Sequence, residues 1–126
     1  MSTIRVDNFG PSAGGTTYSA RGIAKAWVNF NGTGTIAARD SENLSSLTDN
    51  GTGDYTVNFT NGLTNANYGF MTGQQYTTGT GATDIGPIQA QGTTAQSTTS
   101  LRVAQKAGGG LYDANIVCIS AHGDLA

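Results

Sequence analysis

From residue 24 onward, apolar and polar side chains alternate with period two. Ala26, Val28 and Phe30 fall on one side and Lys25, Trp27 and Asn29 on the other, the alternation of a strand with one buried face. Trp27 then needs cover of its own. Asn31-Gly32-Thr33-Gly34 reads as a turn, and residues 35–39 return as a short partner strand with Ile36 and Ala38 on one side, which predicts a hairpin. After a polar stretch, Asp40-Ser41-Glu42-Asn43, a further strand over residues 44–47 leads into residues 48–54, the strongest turn in the chain. Asn50-Gly51 supplies positive φ at low cost, so Gly51 is expected in a positive-φ conformation within an exposed turn. Tyr55, Val57 and Phe59 then alternate with Thr56, Asn58 and Thr60, which gives a second hairpin. Further strands are predicted over residues 67–72, 85–88, 98–103 and 113–120, with loops at 77–81 and 108–110. Gly-Thr-Gly triplets recur at Gly32, Gly51 and Gly79 at unequal intervals, which marks turn chemistry and not a structural repeat. Short strands at nearly even spacing predict an all-β fold, an antiparallel β-sandwich or jelly-roll-like barrel.

The first two dozen residues have a different texture. Ile4, Val6 and Phe9 are followed by Gly10-Pro11-Ser12-Ala13-Gly14-Gly15-Thr16-Thr17, a stretch with too few apolar groups to bury its own backbone. Residues 1–23 are therefore expected to form an extended N-terminal arm, and residues 24–126 a single domain. Ile4, Val6, Phe9 and Tyr18 gain nothing from exposure to water, so they are the residues expected to dock on another chain. A small, weakly charged β-domain with such an arm has edges that need partners, and the expected assembly is a homotrimer.

Composition narrows the function. At 126 residues, a second independent core is improbable. Charged residues make up 11% of the chain, so Thr, Asn, Ser and Gly must cover the surface in place of Lys and Glu. A net charge of -2, with Arg5, Arg21, Lys25, Arg39, Arg102 and Lys106 scattered along the chain, offers no basic field for a phosphate backbone. No nucleic-acid partner is expected on that ground. Cys118 is the single cysteine, which rules out an intramolecular disulfide and a cysteine metal cluster. Met1 to Asp7 has no apolar core of signal-peptide length, and no segment approaches the roughly 20 apolar residues of a membrane-spanning helix. The chain is accordingly expected to be made in a cytoplasm, to stay there until assembly or lysis, and to have no membrane partner.

Candidate chemistry is sparse. His122 is the single histidine, with Cys118 before it and Asp124 after it, a composition that could serve nucleophilic catalysis. On a strand, however, positions 118 and 122 lie about 13 Å apart, and the expected arrangement is a buried strand cysteine and an exposed tail histidine. Asp40, Glu42, Asp49 and Asp54 gather near two loops, but Gly stands where a calcium loop needs oxygen ligands and no closing Glu follows. They are expected to stabilise turns. No phosphate loop, dinucleotide fingerprint or nucleophile elbow is present. Four Asn-x-Ser/Thr sequences, at Asn31, Asn43, Asn50 and Asn58, reflect only the richness in Asn and Thr when no secretory signal accompanies them. The expectation is a protein that is not an enzyme and uses no cofactor and no metal.

A long run of the chain carries a resemblance. Lys25-Ala26-Trp27-Val28-Asn29-Phe30-Asn31-Gly32-Thr33-Gly34-Thr35-Ile36 is followed by Arg39-Asp40-Ser41, and then by Leu44-Ser45-Ser46-Leu47-Thr48-Asp49-Asn50-Gly51-Thr52-Gly53-Asp54-Tyr55-Thr56-Val57-Asn58-Phe59. This block resembles a module of small virion structural and tail-fibre-like proteins from phages of aquatic bacteria, cyanophages included. The opening Met1-Ser2-Thr3-Ile4-Arg5-Val6-Asp7 resembles their leader. Beyond about Tyr68 no comparable string appears. The resemblance implies no catalytic residues. It implies a protein of the virion surface, and an arm plus one compact head suits a capsid decoration (cement) protein that contacts the major capsid protein or another virion protein. The alternative is a short tail or head fibre that binds a host-surface glycan, with Tyr68, Tyr76 and Tyr112 as stacking residues.

Overall fold

In a computed structural model, the described residues are 3, 8–9, 13–16, 18–75, 96–107 and 110–126. Eleven strands and one 3-10 turn occur among them, and no α-helix. A two-residue ladder pairs β1 (Asn8–Phe9) with β2 (Tyr18–Ser19), and the 3-10 turn Ala20–Gly22 follows. The main body contains β3 (Ala26–Asn31), β4 (Ala37–Glu42), β5 (Leu44–Gly51), β6 (Asp54–Phe59), β7 (Gly69–Gln75), β8 (Ser100–Ala104) and β11 (Ile116–His122). Between the last two, β9 (Lys106–Ala107) and β10 (Gly110–Leu111) form a second two-residue ladder.

Two antiparallel sheets pack face to face as a β-sandwich, one in the order β4-β3-β11-β7 and the other β5-β6-β8. Alternation decides what lies between them. Ala26, Val28 and Phe30 of β3 and Val117, Ile119 and Ala121 of β11 meet Tyr55, Val57 and Phe59 of β6 and Leu101 and Val103 of β8, all of them buried. The rings of Phe30 and Tyr55 meet edge to face with centroids 5.1 Å apart, and Phe59 and Tyr68 at 6.0 Å. Both lie within the range in which aromatic quadrupoles attract.

Both expected hairpins are present, with shifted limits. The return strand of the first is β4, which extends through Glu42, so the stretch read as a polar connection is itself an edge strand. Arg39 has no partner in the ladder: Asn29 opposes Asp40 and Phe30 opposes Ala38, which makes Arg39 the extra residue of a β-bulge. The passage from one sheet to the other takes place at Asn43, whose φ of 57° is the single positive value among the described non-glycine residues. Asn tolerates that region because its side chain can bond locally. Here Asn43 Oδ1 accepts from the Asn61 amide at 2.7 Å and Nδ2 donates to the Asn61 carbonyl at 3.0 Å, so the corner is clasped to the end of β6.

In the second hairpin, β5 continues to Gly51 and the turn shortens. Asp49 Oδ1 accepts from Gly51 N at 2.9 Å, and φ is 128° at Gly51 and 63° at Gly53. The positive φ expected at Gly51 is present, but the turn is not fully exposed. Gly53 is buried, donating to Asp113 Oδ1 at 2.6 Å and accepting from Gln105 N at 2.6 Å. The strands expected near residues 67, 98 and 113 are β7, β8 and β11, each starting two or three residues later. The one expected over residues 85–88 lies outside the described residues.

The two turn glycines predict different costs. A Cβ on Gly51 meets nothing within 4 Å, whereas on Gly53 it would come within 2.5 Å of Tyr112 N and 2.7 Å of the Gln105 and Tyr112 carbonyl oxygens. Gly51→Val should destabilise by about 1–2 kcal/mol through backbone strain alone, and Gly53→Ala by about 3 kcal/mol or more. Urea unfolding of the two variants measures the difference, and equal costs would contradict the docking of the turn.

Candidate functional site

The chemistry of the chain is divided between the two outer faces of the sandwich. On the β5-β6-β8 face the outward residues are Ser, Thr, Asn, Asp and Arg, aligned in cross-strand rows. Asn58 Nδ2 donates to Ser46 Oγ at 3.1 Å and Thr48 Oγ1 at 3.2 Å, and Asn50 Nδ2 donates to Thr56 Oγ1 at 2.9 Å and Asp54 Oδ1 at 3.3 Å. Arg102 closes the lattice with two bonds to Asp54, at 2.9 and 2.6 Å. Each polar head bonds to its neighbour across the sheet, so the face is polar without carrying a strong net charge.

The β4-β3-β11-β7 face differs. Trp27 is 37% exposed, Met71 69%, and Cys118 is exposed on the strand between them, one row further along. A depression of about 440 Å³ opens among them, floored by Gly73, Cys118 and Ser120. Trp27, expected to need cover, is not buried by the described residues.

Cys118 was expected to be buried, and the structure corrects this. Val117, Ile119 and Ala121 take the inward positions of β11, so the even-numbered residues point outward. His122 was expected in a loose tail and is instead the last residue of β11, partly buried. The chain after it is held by Thr64 N bonding the Asp124 carbonyl at 2.8 Å and Ala126 N bonding the Gly62 carbonyl at 3.0 Å. His122 Nε2 lies 3.1 Å from Ser120 Oγ and Nδ1 3.3 Å from the Gly22 carbonyl. With Nδ1 protonated, Nε2 accepts from the serine, which is the donor order of a Ser-His nucleophile pair. The amides of β11 around Ser120 are committed to ladders with both β3 and β7, however, so no backbone donors converge there to stabilise an oxyanion. The two contacts tie the entry into β3 to the end of β11.

The carboxylates behave as turn and strand residues. Asp40 Oδ1 accepts from Ser41 N at 2.9 Å, Asp49 caps Gly51, and Asp54 pairs with Arg102. Among the described residues no three His, Cys, Asp or Glu side chains gather to hold a metal ion, and no helix is long and apolar enough to cross a membrane.

Of the three tyrosines expected to stack on a glycan, Tyr68 and Tyr112 are among the described residues. Tyr68 is 6% exposed, its ring against Phe59 and its hydroxyl donating to the Ser100 carbonyl at 3.0 Å. Burial pushes that hydroxyl up to about 12. It is a core residue and cannot stack on a sugar. Tyr112 is partly buried against the core and donates its amide to the Gln105 carbonyl at 3.1 Å. Tyr76 lies outside the described residues, as do Ile4 and Val6. Of the remaining arm residues, Phe9 and Tyr18 oppose each other in the β1-β2 ladder. A concave polar depression of about 240 Å³ is lined by Asn65, Asn67, Tyr68, His122, Gly123 and Asp124.

Two of these arrangements went unread in the sequence. The Ser120–His122 pair has the i, i+2 spacing that places residues on one face of a strand, and that spacing could have revealed it. The approach of Trp27 to Met71 depends on β11 inserting between β3 and β7, for which no local pattern exists. In comparisons with protein-family models, curated proteins and solved structures, nothing matches the chain.

The Asp54–Arg102 pair makes stability depend on pH. Hydrogen bonds from Arg102, and then its charge, hold the Asp54 carboxyl below its usual 3.8 against the opposing effect of partial burial. Folding therefore favours the ionised form. The contribution is complete above pH 3.8 and is lost as the pH falls through the lower folded value. The urea midpoint of the native chain should drop on acidification below about pH 4 more steeply than that of Asp54→Asn. Parallel curves for the two proteins would show that the pair adds nothing.

Proposed function

We propose that the chain is a structural protein of a bacteriophage virion surface, a decoration (cement) protein held on the particle in many copies and contacting the major capsid protein or another virion protein. The observation that carries this reading is the unlike pair of faces: one neutral, hydrogen-bonded and suited to water, the other exposing Trp27 and Met71 beside a hollow. A large exposed apolar group on a β-domain marks a contact surface, and a component of an assembly has a use for one dressed face and one bare one. The virion-like wording of residues 25–59 supplies the kind of assembly. The scarcity of charge leaves little for proteases or ionic partners to grip.

The fibre reading is weaker on the same geometry. It relied on tyrosines as a sugar platform, and Tyr68 is committed to the core. The decoration reading needs no such platform.

In this reading the N-terminal segment supplies attachment, with Ile4, Val6, Phe9 and Tyr18 docking on the shell. Each buried side chain would contribute roughly 1.5–3 kcal/mol before the entropy of ordering the segment is subtracted. The modest remainder becomes effective through repetition on a lattice. Electron microscopy of particles should locate the protein on the outer head surface in many copies. Deleting residues 1–15 should leave the melting temperature nearly unchanged while abolishing binding to particles. Full binding by the truncated chain would move the anchor elsewhere, and absence of the protein from purified particles would end the virion reading.

A further inference from the structure

The chain contains three Asn-Gly links, Asn31-Gly32, Asn50-Gly51 and Asn61-Gly62. Glycine has no Cβ to crowd its nitrogen, so at such a link that nitrogen can close a five-membered ring on the side-chain amide carbon of the asparagine before it. Closure needs a backbone free to swing, an asparagine side chain free to turn, and a group that takes the glycine amide proton. The fold supplies these unequally.

At Asn31-Gly32 both partners are held. Gly32 is buried and its nitrogen donates to the Ala114 carbonyl at 2.9 Å, while the place of a Cβ is taken by the Tyr55 hydroxyl and the Ala114 carbonyl. Asn31 Nδ2 donates to the Thr33 carbonyl at 2.7 Å, and Oδ1 accepts from Thr33 Oγ1 at 2.8 Å. At Asn61-Gly62 the backbone is clamped on both sides. Asn61 N donates to Asn43 Oδ1 at 2.7 Å, the Gly62 carbonyl accepts from Ala126 N at 3.0 Å, and the Thr98 carbonyl stands 3.2 Å from the place of a Gly62 Cβ. Reaction at either link must wait for local unfolding.

Asn50-Gly51 lies in the open. Both residues are exposed, and no atom beyond the chain neighbours comes within 4 Å of the place of a Gly51 Cβ. The Gly51 amide donates to Asp49 Oδ1 at 2.9 Å. That carboxylate oxygen is therefore within the reach required of a general base for the proton that ring closure must remove.

We propose that Asn50 is a self-modification site, at which Gly51 N attacks Asn50 Cγ with the Asp49 carboxylate as general base. The N–Cγ bond forms as the amide proton passes to Asp49. The Cγ–Nδ2 bond then breaks, and the leaving nitrogen carries that proton away as ammonia. Water opens the cyclic imide at either carbonyl and leaves aspartate or isoaspartate at position 50, with no change of oxidation state. The product alters the solvent face. Asn50 Nδ2 is the donor to Thr56 Oγ1 at 2.9 Å and to Asp54 Oδ1 at 3.3 Å. Both bonds are lost, a new carboxylate confronts the partner of Arg102, and one negative charge is added to a net charge of -2. A face built neutral thus acquires charge as the protein ages.

The test incubates the full-length protein in warm neutral buffer, natively and in concentrated urea, and follows each link by peptide mapping with isoaspartate resolved from aspartate. In the native protein, conversion at Asn50 should outpace that at Asn31 and Asn61 by roughly tenfold or more, the rate ratio set by a modest difference in barrier. In urea the three links should convert at similar rates. Asp49→Ser keeps an oxygen that can accept from the Gly51 amide but is a far weaker base. Native conversion at Asn50 should therefore fall several-fold in this variant, with the rate in urea nearly unchanged. Conversion first at Asn31 or Asn61, a native Asn50 that stays intact while the chain in urea reacts, or an unchanged or faster rate in Asp49→Ser would each overturn the proposal. Because purified chain alone is used, the outcome is independent of where the protein sits on a virion.

Discussion

The end of the sandwich depends on one hydroxyl. Tyr55 rises from β6 through the core and donates to the Gly32 carbonyl at 2.8 Å, within 2.9 Å of Asp113 Oδ1. Asp113 in turn accepts from the amide of Gly53, and Gly32 N donates to the Ala114 carbonyl at 2.9 Å. One buried side chain thus fixes the turn after β3, the turn after β5 and the approach to β11 relative to each other. A buried hydroxyl without partners costs far more than a satisfied one gains, so these three segments are constrained together. Burial, followed by the hydrogen bond that the hydroxyl donates to Asp113, pushes the tyrosine hydroxyl above its ordinary value, and it stays protonated. Gly32 admits this arrangement, since a Cβ there would lie 2.6 Å from the Tyr55 hydroxyl oxygen.

With that end fixed, the outer surfaces are free to differ. A β-face normally stays soluble by displaying Lys and Glu, but here Asn58 and Asn50 each bridge two neighbours across the strands, so polarity is held in place by geometry. The Asp54–Arg102 pair adds charge to that lattice, and its effect in water is small beside that of the core. Among the described residues the opposite face has no such lattice, and the contrast between the two is the basis for the functional reading.

Much of the first half of the fold was legible because its pairings are local. The alternation of Ala26, Val28 and Phe30, and of Tyr55, Val57 and Phe59, needs only adjacent turns to become two hairpins. The edge strand β4 was legible only in its first part, as the return strand over residues 35–39; its extension through Glu42 was not, since the strand is almost wholly exposed and a strand with little buried carries no alternation. Cys118 was assigned to the wrong face for the opposite reason: Ile116 and Cys118 are as apolar as Val117 and Ile119, so the phase of β11 is ambiguous until its partners are known. The fixing of His122 and the residues after it rests on backbone bonds to Gly62 and Thr64, which leave no trace in side-chain identity. The Trp27–Met71 hollow required the order β3-β11-β7, joining residues far apart in sequence.

The extra residue at Arg39 and the register shifts in β5 lie on the strands that end their respective sheets on one side of the sandwich. A regular edge strand offers an unbroken row of amides and carbonyls that can template another chain. Here the row is interrupted on both layers, and Arg39 turns its guanidinium inward to the Asn29 side chain and the Asn115 carbonyl. An interrupted border of this kind disfavours the edge-to-edge pairing by which copies of a β-protein grow into fibrils.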